Sequence, residues 1–318
     1  MQTAPHLLIP YANAFPPAQG EAAAVAGELP RLQRLLARLA PGPLEAGSLA
    51  DLSLPHERAL ARLAHLPDTD GRIPWAAWHL HQAGEAPGAA PWAWITPCHW
   101  HVASDHIRMD PPGQLALQEA QSRDLLAAMA PYFAQDGIDL AYESPGRWRA
   151  RGEIFGALAC ASLDRVAGRP VDDWLPRGPE ARALRRLQQE MQMLLYTHPV
   201  NEARERDGLL PVNSFWVSGA GALPEGAAQG LPAHLQVDER LREPALAGQH
   251  AAWAERWQEI DAQVLPAWLG ALDQGRPVAL TLCGARSART WTSSSPSWWR
   301  RAASMLRAPS ADAALSPL

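Results

Sequence analysis

The chain has 318 residues, 47% of them hydrophobic, which is enough apolar surface for a real core and a length that favours two domains. A formal net charge of -5 gives no general attraction to nucleic acid, and because every basic residue is Arg a Walker lysine and a Schiff-base lysine are excluded. Cys98, Cys160 and Cys283 lie far apart with no CxxC pair, and neither a charged-then-apolar leader nor a membrane-length apolar run occurs. A reducing, cytoplasmic protein with no membrane partner is therefore expected. Fourteen Trp against four Phe and four Tyr point to amphipathic wall positions, since a buried indole N–H needs an acceptor.

In chain order, His6 to Ile9 is a short apolar run stopped by Pro10 and predicts an opening strand buried on both faces. Leu32, Leu35, Leu36 and Leu39 follow at helical spacing, residues 41–47 read as a Pro/Gly-rich loop, and 57–66 and 74–82 as helices. Aromatic and β-branched residues from Trp92 to Met109 predict two strands, with Pro97 at an edge or a bend. A long helix over 114–133 precedes a hairpin of 138–142 and 148–151, and 179–197 is the clearest amphipathic helix. Asn201 after Pro199 is placed to cap a short helix that Gly208 stops, before the strand-like run Val212 to Val217. Gly219 and Gly221 then permit a turn at positive φ and close approach to a ligand. Leu235 to Val237 is a short strand, 244–272 one or two helices broken at Pro266, and Val278 to Cys283 a central strand. The last dozen residues are expected to be disordered. Alternating strands and helices predict an α/β sheet: core halves over 1–91 and 212–295, an inserted α+β domain over 92–211, and a tail over 296–318.

The most enzyme-like cluster is His99, His101, Asp105 and His106. On one strand His99 and His101 would face the same way and could share a Zn or Mn ion, and the cluster resembles the HxHxDH signature of the metallo-β-lactamase fold. Two extra residues before Asp105 break that spacing, so histidines bonded to backbone carbonyls are the favoured reading, and no cofactor is favoured. Gly219-Ala-Gly221 lacks a third glycine at dinucleotide-binding spacing, and Pro224 falls where the helix should start. GxSxG, HExxH and an EF-hand loop are absent.

At His198-Pro-Val-Asn201, Arg204, Gly208, Pro211-Val-Asn213 and Gly219-Ala-Gly221 the chain resembles the archaeal-type bisphosphoglycerate-independent phosphoglycerate mutases of the alkaline phosphatase superfamily. Over its whole length it is similar to the RpfE-type regulatory proteins of proteobacteria, through TPCHWHV, ASLDRV, QMLLYTHPVN and LPVNSFWVSGAG. The resemblance implies an alkaline-phosphatase-like, mostly parallel sheet with flanking helices and an inserted smaller α+β domain. It also implies a ligand cleft made by His198, Asn201, Arg204, Asn213, Gly219 and Gly221, with Arg204 as anion clamp. The mutases carry an Asp-Gly pair after the first strand and an Asp-His pair after a late core strand. This chain has Pro10-Tyr-Ala-Asn13 and Gly284-Ala285 there, and so lacks those metal ligands.

The expected function is that of a bacterial pseudoenzyme, a non-catalytic or strongly divergent mutase relative. It would be regulatory and bind a small anionic, phosphorylated metabolite or a regulatory protein partner. The alternative is an active metal-dependent phosphomutase or phosphohydrolase using His99, His101, Asp105 and His106. A third reading is an interaction module built on Trp291, Trp298, Trp299 and Arg300.

Overall fold

The computed structural model describes residues 4–15, 27–104, 106–179, 181–224, 226, 230–293 and 310–318. The chain forms two compact units, the first made of Met1–Ala50, Leu54–Leu60 and Leu231–Leu318, the second of Asp51–Ser53 and Ala61–Gly230. The first begins with β1 (His6–Ile9), α1 (Pro30–Leu36) and β2 (Ala40–Glu45), and α2 (Pro55–Leu63) leads into the second. The second holds α3 (Trp75–Gln82), β3 (Trp92–Cys98), β4 (Trp100–Val102), β5 (Ile107–Met109) and α4 (Glu119–Gln135). It continues with β6 (Asp139–Ser144), β7 (Arg147–Arg151), α5 (Leu163–Val166), α6 (Ala181–Tyr196), α7 (Pro199–Arg206) and β8 (Ser214–Gly221). The chain returns to the first unit with β9 (Leu235–Val237), α8 (Arg242–Leu246), α9 (His250–Glu259), α10 (Leu265–Asp273), β10 (Ala279–Cys283), β11 (Ala288–Thr292) and α11 (Ala311–Leu315).

The first unit is α/β. Its sheet runs β2-β11-β10-β1-β9, with β1 parallel to both β10 and β9, and β11 and β2 added antiparallel on one edge. All four residues of β1 are buried, which is what a strand covered on both faces by helices requires. Leu7, Ile9, Leu280 and Leu282 pack in one core with Leu32 and Leu35 of α1 and Trp253 and Trp257 of α9. The two indoles donate to Tyr11 O at 2.9 Å and Ala12 O at 3.1 Å, so they fix the turn after β1 as well as filling the core.

Three local expectations change here. Residues 41–47, read as a loop, fall largely within an edge strand, Ala40–Glu45, where Pro41 and Pro43 can point their missing donors away from the ladder. The break at Pro266 is a π-helical turn, Ile260–Val264, between α9 and α10. Residues 310–318, expected to be disordered, are folded. Ser310 Oγ accepts from Ala313 N at 3.1 Å, and Ala311, Ala314, Leu315 and Leu318 are buried in the core at i, i+3, i+4 and i+7. Trp298, Trp299 and Arg300 lie outside the described residues, whereas Trp291 is buried in β11.

The second unit is α+β, an antiparallel sheet in the order β6-β7-β3-β8 with a separate β4–β5 hairpin. Leu125, Met129 and Phe133 of α4 and Leu184, Leu187 and Met191 of α6 bury against Ile95, Phe215 and Val217. Trp216, pointing the other way by strand alternation, joins Cys98, Trp100 and Val166 in a smaller cluster. The segment expected to reopen the core sheet, Ser214–Gly221, instead pairs antiparallel with β3, so the second unit takes in 61–91 and 212–230 as well as 92–211. β3 is interior, but Pro97 lies two residues past the last β7 pair, Ile95↔Trp148, where β3 pairs with β8 alone and its β7 side needs no donor.

Candidate functional site

The 198–213 turn is interlocked by its own polar side chains. His198, not Asn201, caps α7: its Nδ1 accepts from Val200 N at 3.2 Å, with Pro199 at the first helical position. Asn201 is 3% exposed. Its Nδ2 donates to Leu195 O at 2.8 Å and Val212 O at 2.7 Å, and its Oδ1 accepts from Val212 N at 2.8 Å. One amide thereby satisfies three buried backbone groups, two of them beside a proline-broken stretch that cannot form a ladder.

Arg204 is fully buried. Its Nε donates to Leu210 O at 2.9 Å, one terminal nitrogen to Gln121 Oε1 at 2.7 Å, and the other to Leu115 O. All three acceptors are neutral, and burial lowers the guanidinium's affinity for its proton. Asn213 reaches a different element: its Oδ1 accepts from Trp100 N at 2.6 Å and its Nδ2 donates to Trp100 O at 2.9 Å, an extra ladder rung made by a side chain.

Gly219 and Gly221 are at φ +62 and +149 near the end of β8. A Cβ at Gly219 would stand 2.9 Å from the Trp94 ring, and one at Gly221 would stand 3.0 Å from Pro74, so both glycines admit neighbouring side chains of the same unit. Six residues of strand, about 20 Å at ~3.3 Å per residue, separate Asn213 from Gly219. The structure therefore gathers His198, Asn201 and Arg204 around one turn, and leaves the two glycines at the far end of β8.

The histidine cluster is not on one strand. β3 ends at Cys98 and β4 begins at Trp100 in a different sheet, so the two-residue repeat that would align His99 with His101 is interrupted between them. His99 Nδ1 bonds Pro211 O at 2.8 Å, while His101 is exposed and stands opposite Arg108. Asp105 lies outside the described residues, and no group of three or more His, Cys, Asp or Glu among the described residues could hold a metal ion.

The carboxyl ends of β1, β9 and β10 form the other candidate location, since open α/β sheets present their ligand crevices there. After β1, Tyr11 adopts φ 56, an uncommon left-handed conformation for a non-glycine residue. Asn13 is buried, with its Nδ2 donating to Leu315 O at 3.1 Å and its backbone carbonyl accepting from Ala285 N at 2.9 Å. After β9 comes Asp238, a buried carboxylate engaged by Arg240 N at 3.3 Å and Arg240 Nε at 3.4 Å. After β10, Arg286 N and Ser287 N both donate to Leu318 O, at 3.2 and 3.0 Å. Among the described residues, one carboxylate already paired with arginine, beside an amide, backbone groups and the His56 ring packed on Tyr11, does not fit the pair of divalent cations that the mutase resemblance implies. The seat is not apparent in the sequence because its filler, 310–318, follows a Ser-, Pro- and Ala-rich stretch that has the composition of a disordered tail. The i, i+3, i+4, i+7 apolar spacing behind Ser310 was the available signal.

Titration is perturbed at further buried groups besides Arg204. His6, hydrogen-bonded to Thr281 Oγ1 at 2.7 Å, has its pKa lowered to about 4, by burial first and by His234 second. Burial raises the Cys160 thiol to about 12 and pushes Cys98 up further, so neither supplies a thiolate nucleophile near neutral pH.

No family model matches the chain. It is 38% identical over 65 residues to the 2,3-bisphosphoglycerate-independent phosphoglycerate mutase of Methanothrix thermoacetophila, a match covering 20% of this chain and 17% of that one. The enzyme of the same name from Methanosarcina mazei is 35% identical over 78 residues, 24% of this chain and 20% of that one. The match thus spans about a fifth of the length of these curated relatives, and over that short stretch the chain is homologous to the archaeal-type phosphoglycerate mutases. Among solved structures, similarity is found to the PH0037 protein of Pyrococcus horikoshii, with TM-score 0.49 and 11% identity over 92% of this chain and 88% of that one. The cofactor-independent phosphoglycerate mutase of Thermoplasma acidophilum gives TM-score 0.36 and 13% identity over 91% and 89%.

Proposed function

We propose that the chain is a phosphoglycerate-mutase-like protein of the RpfE-type regulatory kind, cytoplasmic, which binds a small phosphorylated metabolite without turning it over. The observation that carries this reading is the make-up of the strand ends among the described residues: Asn13, an arginine-paired Asp238, the Gly284–Ser287 backbone and His56 packed on Tyr11 offer a single carboxylate where a two-cation phosphoryl-transfer site would need several. The anionic class of ligand is supported by Arg204, a buried cation whose hydrogen-bond partners are all neutral oxygens.

Calorimetric titration with 3-phosphoglycerate, with and without Mn²⁺, tests the reading. Saturable binding without interconversion of the 2- and 3-phospho isomers is expected, and steady isomerisation or phosphate release overturns it. Arg204→Gln, which removes the buried positive charge and loosens the turn it holds, is expected to weaken that binding by about tenfold or more at temperatures where circular dichroism shows the variant folded. Unchanged affinity discards the role of Arg204.

A further inference from the structure

The crevice past Ile9 and Cys283, at the carboxyl ends of adjacent parallel strands, is filled by a segment of the chain itself. We propose that residues 310–318 are a displaceable strap: an intramolecular peptide ligand whose docking closes this crevice and whose release opens it.

The contact has the form of a helix laid in a groove. Ala311, Ala314, Leu315 and Leu318 present one apolar face at i, i+3, i+4 and i+7. α11 has only five residues, far too few to hold helical shape alone in water, so its folding depends on the seat. The seat in turn is shaped for it. Gly284 carries no side chain where a Cβ would stand 2.5 Å from the carbonyl carbon of Leu318, and Arg286 N, Ser287 N and Asn13 Nδ2 end on two of the strap's carbonyl oxygens. Two leucines and two alanines are a small apolar load beside the buried strand β1 and the buried residues 280–283 of β10, so the strap can leave while the sheet stays formed. When it leaves, three donors at the strand ends become available to another oxygen-bearing ligand. Tyr11, at positive φ two residues before Asn13, places a strained backbone at the same edge.

Native-state hydrogen exchange on the full chain tests this without altering it. The amides of Arg286, Ser287 and Leu318 are expected to exchange together, at least about tenfold faster than those of Leu8 and Leu280. Exchange of all five in step overturns the proposal. As a second measurement, a labelled peptide of residues 310–318 is titrated into the full chain carrying Leu315→Ser. It is expected to bind at least about tenfold tighter than to the unaltered chain, whose seat is filled, and adding Gly284→Ala is expected to abolish the gain. Binding to the Leu315→Ser chain no tighter than to the unaltered one also overturns the proposal. No metabolite takes part in either experiment, so both outcomes are independent of the phosphorylated-ligand reading.

Discussion

His6, at the start of β1, is held neutral by burial, with its pKa lowered to about 4 against 6.5 in the unfolded chain. Above pH 6.5 both states are neutral and the group contributes nothing to the pH dependence. As pH falls from 6.5 to 4 the unfolded chain takes up a proton that the folded one refuses, so stability drops, by at most about 3 kcal/mol. Urea unfolding of the unaltered chain and of His6→Gln over pH 7 to 4 checks this, with a flatter profile expected for the variant and identical slopes refuting it. At this scale the sequence was legible in residue choice more than in residue role. The polar residues of the 198–213 turn stand out in the sequence as ones that packing alone would not select. Apart from Gln121 Oε1 on Arg204, their partners, at Leu195, Val212, Leu210, Leu115 and Trp100, are backbone groups, and no pattern of side-chain types announces a backbone partner.

α1 has no cap of its own, because Leu29 offers no acceptor at its start. Asp261, projected from the π-helical turn and 2% exposed, accepts from Leu32 N at 2.8 Å and Arg31 N at 3.3 Å and so caps the helix from a remote part of the chain. Asp261→Ala is therefore expected to lower stability by about 1–2 kcal/mol, read from the shift in denaturant midpoint, while Asp261→Asn retains most of it. No scan for local capping residues could find this, since the two partners lie more than two hundred residues apart. The strands β1 and β10, the 139–151 hairpin and α6 were legible because their apolar periodicity is decided within the element. β2 was not, because its prolines mimic a loop and only an edge position makes them tolerable.

The two units own separate cores, one around Leu7, Leu280 and Trp257, the other around Phe133, Leu187 and Phe215. Leu280→Ala is expected to remove about 2–5 kcal/mol from the first and to accelerate exchange in β1 and β10 with little effect in β3 and β8. Phe133→Ala should do the reverse, and equal acceleration in both units for either variant would show one cooperative core instead. The sheet of the first unit has a further consequence for synthesis. His6 pairs with Ala279, whereas the second unit is built almost wholly from the continuous stretch 61–230. Emerging from a ribosome, the middle of the chain can fold first, while the opening apolar strand waits for a neighbour that arrives tens of seconds later at roughly 5–20 residues per second. During that interval the nascent amino end is an exposed sticky strand, and it is there that a chaperone would be expected to hold this polypeptide.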